Sequence, residues 1–113
     1  MSFERIRRYR AMWIIVFFDL PVQTKLQRKA ASDFRKKLLK DGFQMMQYSV
    51  YKRQCASYQF VQKHMKRVNR MIPRDGKVQV LQITDKQFSG IKNFWAGKVT
   101  PLRSPRNRQL ELF

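Results

Sequence analysis

Met12-Trp13-Ile14-Ile15-Val16-Phe17-Phe18-Asp19-Leu20-Pro21 is the stretch whose reading decides the fold. Its apolar run, Met12 to Phe18, is far too short for a membrane span and too unbroken for a half-solvated strand. Rich in β-branched and aromatic residues, it predicts a central strand buried on both faces. Pro21 has no amide to offer a sheet ladder, so the strand ends around Asp19-Leu20. Downstream, Thr24-Lys25-Leu26-Gln27 has capping-box spacing, and Leu26, Ala30, Phe34 and Leu38 recur every four residues. A first helix from Lys25 to Lys40 follows, with Gly42 as a left-handed cap just past its end.

Two short strand candidates come next, Phe43 to Met46 and Tyr48 to Gln54, with Gln47 between them. That spacing reads as a tight hairpin or a bent, bulged strand. Ser57 is an N-cap candidate for a second helix, whose apolar stripe is Tyr58, Val61, Met65, Val68 and Ile72 and whose other face carries Lys63, Lys66, Arg67 and Arg70. Pro73 and Asp75-Gly76 mark a turn before a strand from Lys77 to Thr84, and a weaker strand is expected within Ile91 to Trp95. The order strand, helix, strand, strand, helix, strand predicts an α+β, ferredoxin-like βαββαβ sandwich with both helices on one sheet face. Residues 1–11 read as a basic arm, 12–99 as the domain, and 100–113 as a basic tail with Pro101 and Pro105 that closes on the alternating segment Gln109 to Phe113.

The 113 residues carry 25 Lys and Arg against 7 Asp and Glu, a formal charge of +18. Such a body repels itself unless its partner is a polyanion, and nucleic acid is the leading candidate. Folding buries roughly two-thirds of an extended chain of this length, enough for one core and too little for a large multi-site enzyme. With 43% hydrophobic residues the chain is expected to fold rather than behave as a basic tail. No signal-peptide layout is legible near the start, so a cytoplasmic protein without membrane association is expected. The lone Cys55 permits no intramolecular disulfide, and no Cys/His cluster offers a zinc site.

Asp19 is the one acidic residue placed where chemistry commonly sits, at the carboxyl end of a buried strand just before a helix. A hard divalent ion such as Mg2+ or Mn2+ wants several oxygen ligands, so a metal-dependent nuclease would need Asp19 from two protomers. The structural alternative is an Asx-type turn opened by Asp19 ahead of Pro21. His64 reads as a boundary residue beside the second helix's stripe, and Cys55 as a half-buried, inert thiol. Four scattered glycines build no phosphate loop. The basic residues point to sequence-tolerant, salt-dependent phosphate binding. Duplex binding is preferred over single strands, because Trp13, Phe17 and Phe18 read as core rather than as a stacking surface.

Phe17-Phe18-Asp19-Leu20-Pro21, followed one helix later by Gly42-Phe43-Gln44-Met45-Met46-Gln47-Tyr48-Ser49-Val50-Tyr51, closely resembles the CRISPR-associated protein two family. This family supplies the small subunit of the spacer-acquisition complex, and the chain is most similar to versions found beside type II effectors. The resemblance runs from about Met12 to Trp95. It implies a homodimer with an additional C-terminal strand that extends the partner's sheet. It also implies a larger CRISPR integrase subunit as partner, with the dimer bridging integrase dimers and holding duplex prespacer DNA by its backbone. Members are also described as Mg2+- or Mn2+-dependent nucleases on RNA or duplex DNA, with the aspartate after the first strand as metal ligand; the matching position is Asp19. Phe18 stands where many members have Tyr, and Met45 and Met46 occupy a stretch where some members have an arginine.

On charge and position, the residues expected to contact prespacer DNA are Lys25, Arg28, Lys36 and Lys37 on the first helix and Arg103, Arg106 and Arg108 in the tail. The alternative function is a free-standing endoribonuclease or endodeoxyribonuclease using paired Asp19 residues, with single-stranded RNA among its substrates. Gln109, Leu110, Leu112 and Phe113 are similar to the bacterial sliding-clamp-binding peptide. The competing reading of that segment is an edge strand against the sister protomer or the integrase.

Overall fold

A computed structural model describes residues 11–96. Their elements are β1 (Met12–Asp19), α1 (Lys25–Lys40), β2 (Gln44–Gln47), β3 (Val50–Cys55), α2 (Tyr58–Met71), β4 (Lys77–Thr84) and α3 (Asp85–Ser89). The four strands form one antiparallel sheet in the order β2-β3-β1-β4. The expected βαββαβ order therefore holds, and β1 is central. The expected C-terminal strand lies outside the described residues.

Strand alternation sorts β1 into two faces. Ile14, Val16 and Phe18 point at the helices and join Ala31, Phe34 and Leu38 of α1 and Val61 and Val68 of α2 in one core. The opposite face is less covered than expected. Ile15 is buried, but Phe17 is 38% exposed and Trp13 is shielded mainly by Phe88 of α3, whose ring stacks on it at 3.7 Å. Both helices lie on the other side, so the prediction of burial on both faces holds only for Ile15.

The caps form as the spacing requires. Thr24 accepts from the Gln27 amide at 3.1 Å, and the Gln27 side chain accepts from the Thr24 amide at 3.0 Å. Ser57 likewise accepts from Phe60 N–H at the start of α2. Leu26, by contrast, is 80% exposed, and Ala31 rather than Ala30 is the buried alanine of the core. Residues four apart advance by about 40° around a helix, so a strict fourfold pattern drifts off the buried face within three steps. Tyr58 is also exposed rather than part of the α2 stripe.

The expected tight hairpin forms between β2 and β3, with a register slip at Met45/Gln47 that makes a bulge around Met46, and its bounds move so that β3 begins at Val50 after a Tyr48-Ser49 turn. One further expectation changes. No strand forms within residues 91–95. Thr84-Asp85-Lys86-Gln87 instead repeats the Thr24–Gln27 capping box and starts α3, which Gly90 closes.

Gly42 does adopt the left-handed conformation, φ +94°, after α1. A Cβ there would sit 2.9 Å from Arg53 Nη1, so the backbone demands glycine and any side chain would also have to displace the Arg53 guanidinium. Gly42→Ala is expected to destabilise the fold by more than about 1 kcal/mol, read as a lower urea midpoint at unchanged m-value. An unchanged midpoint would mean that Arg53 and the turn give way freely.

Candidate nucleic-acid interface and carboxylate site

Asp19 closes β1, opposite Lys77 of β4 in the sheet register. Alternation puts it with Trp13, Ile15 and Phe17 on the face away from the helices, and it is exposed. Phe18 N–H donates to Ser49 O at 3.1 Å, which ties this end of β1 to the β2–β3 turn. The next residue, Leu20, is buried and packs so closely on Gly76 that a Cβ there would meet Leu20 Cδ2 at 2.6 Å. The Asp19-Leu20-Pro21 turn is thus pinned from two sides. Among the described residues nothing hydrogen-bonds the Asp19 carboxylate, so it does not form the Asx-type turn expected as its structural role.

One free carboxylate does not make a site for Mg2+ or Mn2+. Among the described residues no group of three or more His, Cys, Asp or Glu converges to hold an ion. A single chain therefore fits the metal only as one contributor, and no hydrolytic step follows from it.

The cations expected to meet phosphate are separated. Lys25 and Arg28 sit on the first turn of α1, and Arg28 Nη1 donates to Val22 O and Gln23 O at 3.2 Å each. That guanidinium braces the turn after Asp19 while its other donors have no partner among the described residues. Lys36 and Lys37 lie near the far end of α1, about 16 Å further along by helical rise. Arg103, Arg106, Arg108, Gln109, Leu110, Leu112 and Phe113, with the basic arm before β1, lie outside the described residues. The aromatic expectation changes too. Phe17 is exposed, and Lys52 Nζ lies over the Trp13 and Phe88 rings at 5.8 and 5.2 Å, so the open face carries aromatic surface in place of the expected core.

A polar network is present that the sequence pattern does not predict. His64, expected at a boundary, is 4% exposed. Its Nδ1 lies 2.8 Å from Asp41 Oδ2, and its Nε2 accepts from Arg53 Nε at 3.1 Å. Because an arginine cannot accept, Nε2 carries the lone pair and Nδ1 donates to Asp41. Arg67 Nη1 binds the other oxygen of Asp41 at 2.6 Å. The network joins the end of α1, strand β3 and helix α2. One signal does exist in the sequence, since His64 is three residues after Val61 and four before Val68, on the buried side of α2.

Nearby Cys55 is buried, and desolvation raises its thiol pKa, with Arg53 lowering it and Asp41 raising it further. Tyr51 is likewise pushed up by burial, against the lowering effect of Arg35 and with a smaller upward push from Tyr48. Neither group supplies an activated nucleophile at neutral pH.

A basic, ferredoxin-like sandwich with an exposed aspartate ending its first strand defines the class of protein. The CRISPR associated protein Cas2 family model matches residues 12–91, and the chain belongs to that family. It is similar to a protein of Flavobacterium psychrophilum named CRISPR-associated endoribonuclease Cas2, 50% identical over 111 residues, covering 98% of this chain and 96% of the relative. A protein of the same name from Parvibaculum lavamentivorans is 50% identical over 103 residues, covering 90% of this chain and 100% of its own length. The fold matches a crystal structure of Streptococcus pyogenes Cas2 with a TM-score of 0.58 at 15% identity, covering 74% of this chain and 99% of that one.

Two measurements check this region. His64→Leu keeps the volume but strands Asp41 and Arg53, and is expected to lower stability by about 2–4 kcal/mol, whereas exposed Lys66→Leu changes it by less than about 0.5 kcal/mol. Equal effects in chemical denaturation would remove the network from the account. For Cys55, the raised folded-state pKa contributes stability that is present below the unfolded thiol pKa and is lost as pH rises through the folded value. The native thiol is expected to react with a disulfide reagent about tenfold or more slowly than the unfolded chain at mildly alkaline pH; equal rates contradict its burial.

Proposed function

We propose that this protein is the dimeric, DNA-backbone-binding subunit of a CRISPR adaptation complex. In this reading it bridges dimers of the larger integrase subunit and holds duplex prespacer DNA during spacer acquisition. The observation that carries the reading is a mismatch in resources. The chain has a formal charge of +18, while Asp19 stands alone among the described residues, without the further ligands that hydrolytic chemistry needs. Phosphate contacts need only solvated cations at suitable spacing; the proposed set is Lys25, Arg28, Lys36 and Lys37 with Arg103, Arg106 and Arg108.

Two features support dimerisation. Among the described residues strand β4 lies at the sheet edge, with one side open to pairing. The open face of the sheet presents Phe17 and Leu81, apolar surface that a second copy would remove from water. A terminal strand of one protomer adding to the other's sheet answers the first feature. The segment Gln109, Leu110, Leu112 and Phe113 is proposed as that kind of edge contact or as a clamp-binding peptide.

A second reading is favoured by the exposed Asp19 carboxylate, which has no partner among the described residues, and by the word endoribonuclease in the relatives' names. In it, Asp19 from each of two protomers contributes to one Mg2+ or Mn2+, and the dimer cleaves RNA or duplex DNA. The metal would polarise a phosphate and activate water. This chain's own part would be to present Asp19 from the turn pinned by Leu20.

Lys25→Gln with Arg28→Gln is expected to weaken duplex binding uniformly across sequences and to lower the log–log salt slope by about 0.9 for each phosphate no longer neutralised; an unchanged slope excludes this pair from the interface. Asp19→Ala is expected to leave duplex affinity within about twofold, since the carboxylate makes no phosphate contact. If the wild type cleaves RNA or duplex with added Mg2+ or Mn2+ and the variant does not, the nuclease reading takes precedence.

A further inference from the structure

The outer face of α2 carries a concentration of charge separate from the α1 cations. A shallow groove of about 470 Å³ runs along it, lined by Lys63, Lys66, Arg67 and Arg70, with Tyr58 and two glutamines toward its N-terminal end. Helix α2 contains no acidic residue from Tyr58 to Met71. The one carboxylate that reaches it among the described residues is Asp41, which is already held by His64 and Arg67. Lys63, Lys66 and Arg70 engage in no ion pair among the described residues. These cations recur at spacings of three and four, so they share one side of the helix. Gln59 and Gln62 add uncharged donors beside them.

This face is distinct from the Lys25–Arg28 cluster. Arg67 is bound to Asp41, the C-cap of α1, whereas Arg28 is on the first turn of that helix. From Arg28 to Asp41 is about 20 Å of helical rise, which on a duplex corresponds to roughly six base pairs along one strand. The two clusters therefore meet different phosphates. Lys37 and Lys40, in the last turn of α1 next to Asp41, add to the positive potential at the α2 end. The Asp41–His64–Arg53 network anchors that end to the sheet, so the face is held rigidly.

We propose that the outer face of α2 is a second phosphate-binding surface, on which Lys63, Lys66 and Arg70 seat the backbone of a nucleic-acid duplex. This rests on the duplex-binding reading above and extends it, because each chain would then grip backbone at two separated places. Charge complementarity selects a polyanion. The run of cations and uncharged donors, with Tyr58 at one end, Phe60 under Lys63 at 5.9 Å and no apolar centre, selects a phosphate backbone over a folded protein partner.

The test uses the full-length protein and a mixed-sequence duplex over a salt series. One variant is Lys63→Gln/Lys66→Gln/Arg70→Gln, a second is Lys25→Gln/Arg28→Gln, and a third combines all five. Each exposed-helix variant is first checked for an unchanged urea midpoint. The first variant is expected to lower the salt slope by about 0.9 for each phosphate it no longer neutralises, and the combined variant by the sum of the two separate decreases. Lys63→Arg/Lys66→Arg, which keeps the charge, should retain the wild-type slope. If the second variant lowers the slope and the first leaves it unchanged, the α2 surface is refuted while the duplex-binding reading stands. If neither changes it, the α2 surface is refuted and Lys25 and Arg28 leave the proposed interface as well. A first variant that instead loses association with anionic vesicles or with the integrase subunit, at an unchanged duplex slope, also overturns the proposal.

Discussion

Strand β1 has neighbours on both edges, and this double pairing is the constraint on which the rest of the molecule depends. With β3 on one side and β4 on the other, its backbone groups are satisfied in the ladder, so its side chains are free to be almost wholly apolar. The two-residue alternation then forces a division. Ile14, Val16 and Phe18 build the core under both helices, while Trp13, Phe17 and Asp19 face the open side. Asp19 is thereby delivered to an exposed position at the strand's end, beside the turn that Leu20 anchors on Gly76. Site and core follow from one strand.

Much of this is legible in the sequence because local signals agree with the tertiary outcome. The capping box at Thr24 sets the start of α1, Ser57 sets that of α2, and the alternation from Lys77 to Thr84 marks β4. The misreadings have separate causes. Leu26 falls to helical drift, since a period of four is not the period of an α-helix. Ile91 to Trp95 looks strand-like from its apolar residues but forms no strand, and the capping box at Thr84–Gln87 just before it, which starts α3, goes unread. Phe17 looks like core because an apolar run does not say which of its faces a helix will cover. The Asp41–His64–Arg53 network joins three elements distant in sequence, and only His64's place on the α2 stripe hints at it.

The candidate site is less legible than the fold. Asp19 can be picked out from its place between a buried strand and a helix, and that position holds. The lysines and arginines are selected by charge alone, and charge does not order them in space. Lys25 and Arg28 share one turn, Lys36 and Lys37 sit at the opposite end of α1, and α2 carries a separate set of its own. A distributed arrangement of this kind suits a long, regular polyanion better than a small anionic ligand, which needs its donors to converge. It supports the proposed role of holding nucleic acid in a chain that belongs to the Cas2 family.

The central proposal is that the protein acts by holding duplex DNA, with Asp19 dispensable for integrase-driven joining. Its most direct test is reconstitution with the larger CRISPR integrase subunit, measuring joining of a duplex prespacer into a target with no small subunit, with the wild type and with Asp19→Ala. The account predicts joining that requires this protein and is equal for the wild type and the variant. Joining abolished by Asp19→Ala, with the variant folded and still binding duplex, would contradict it.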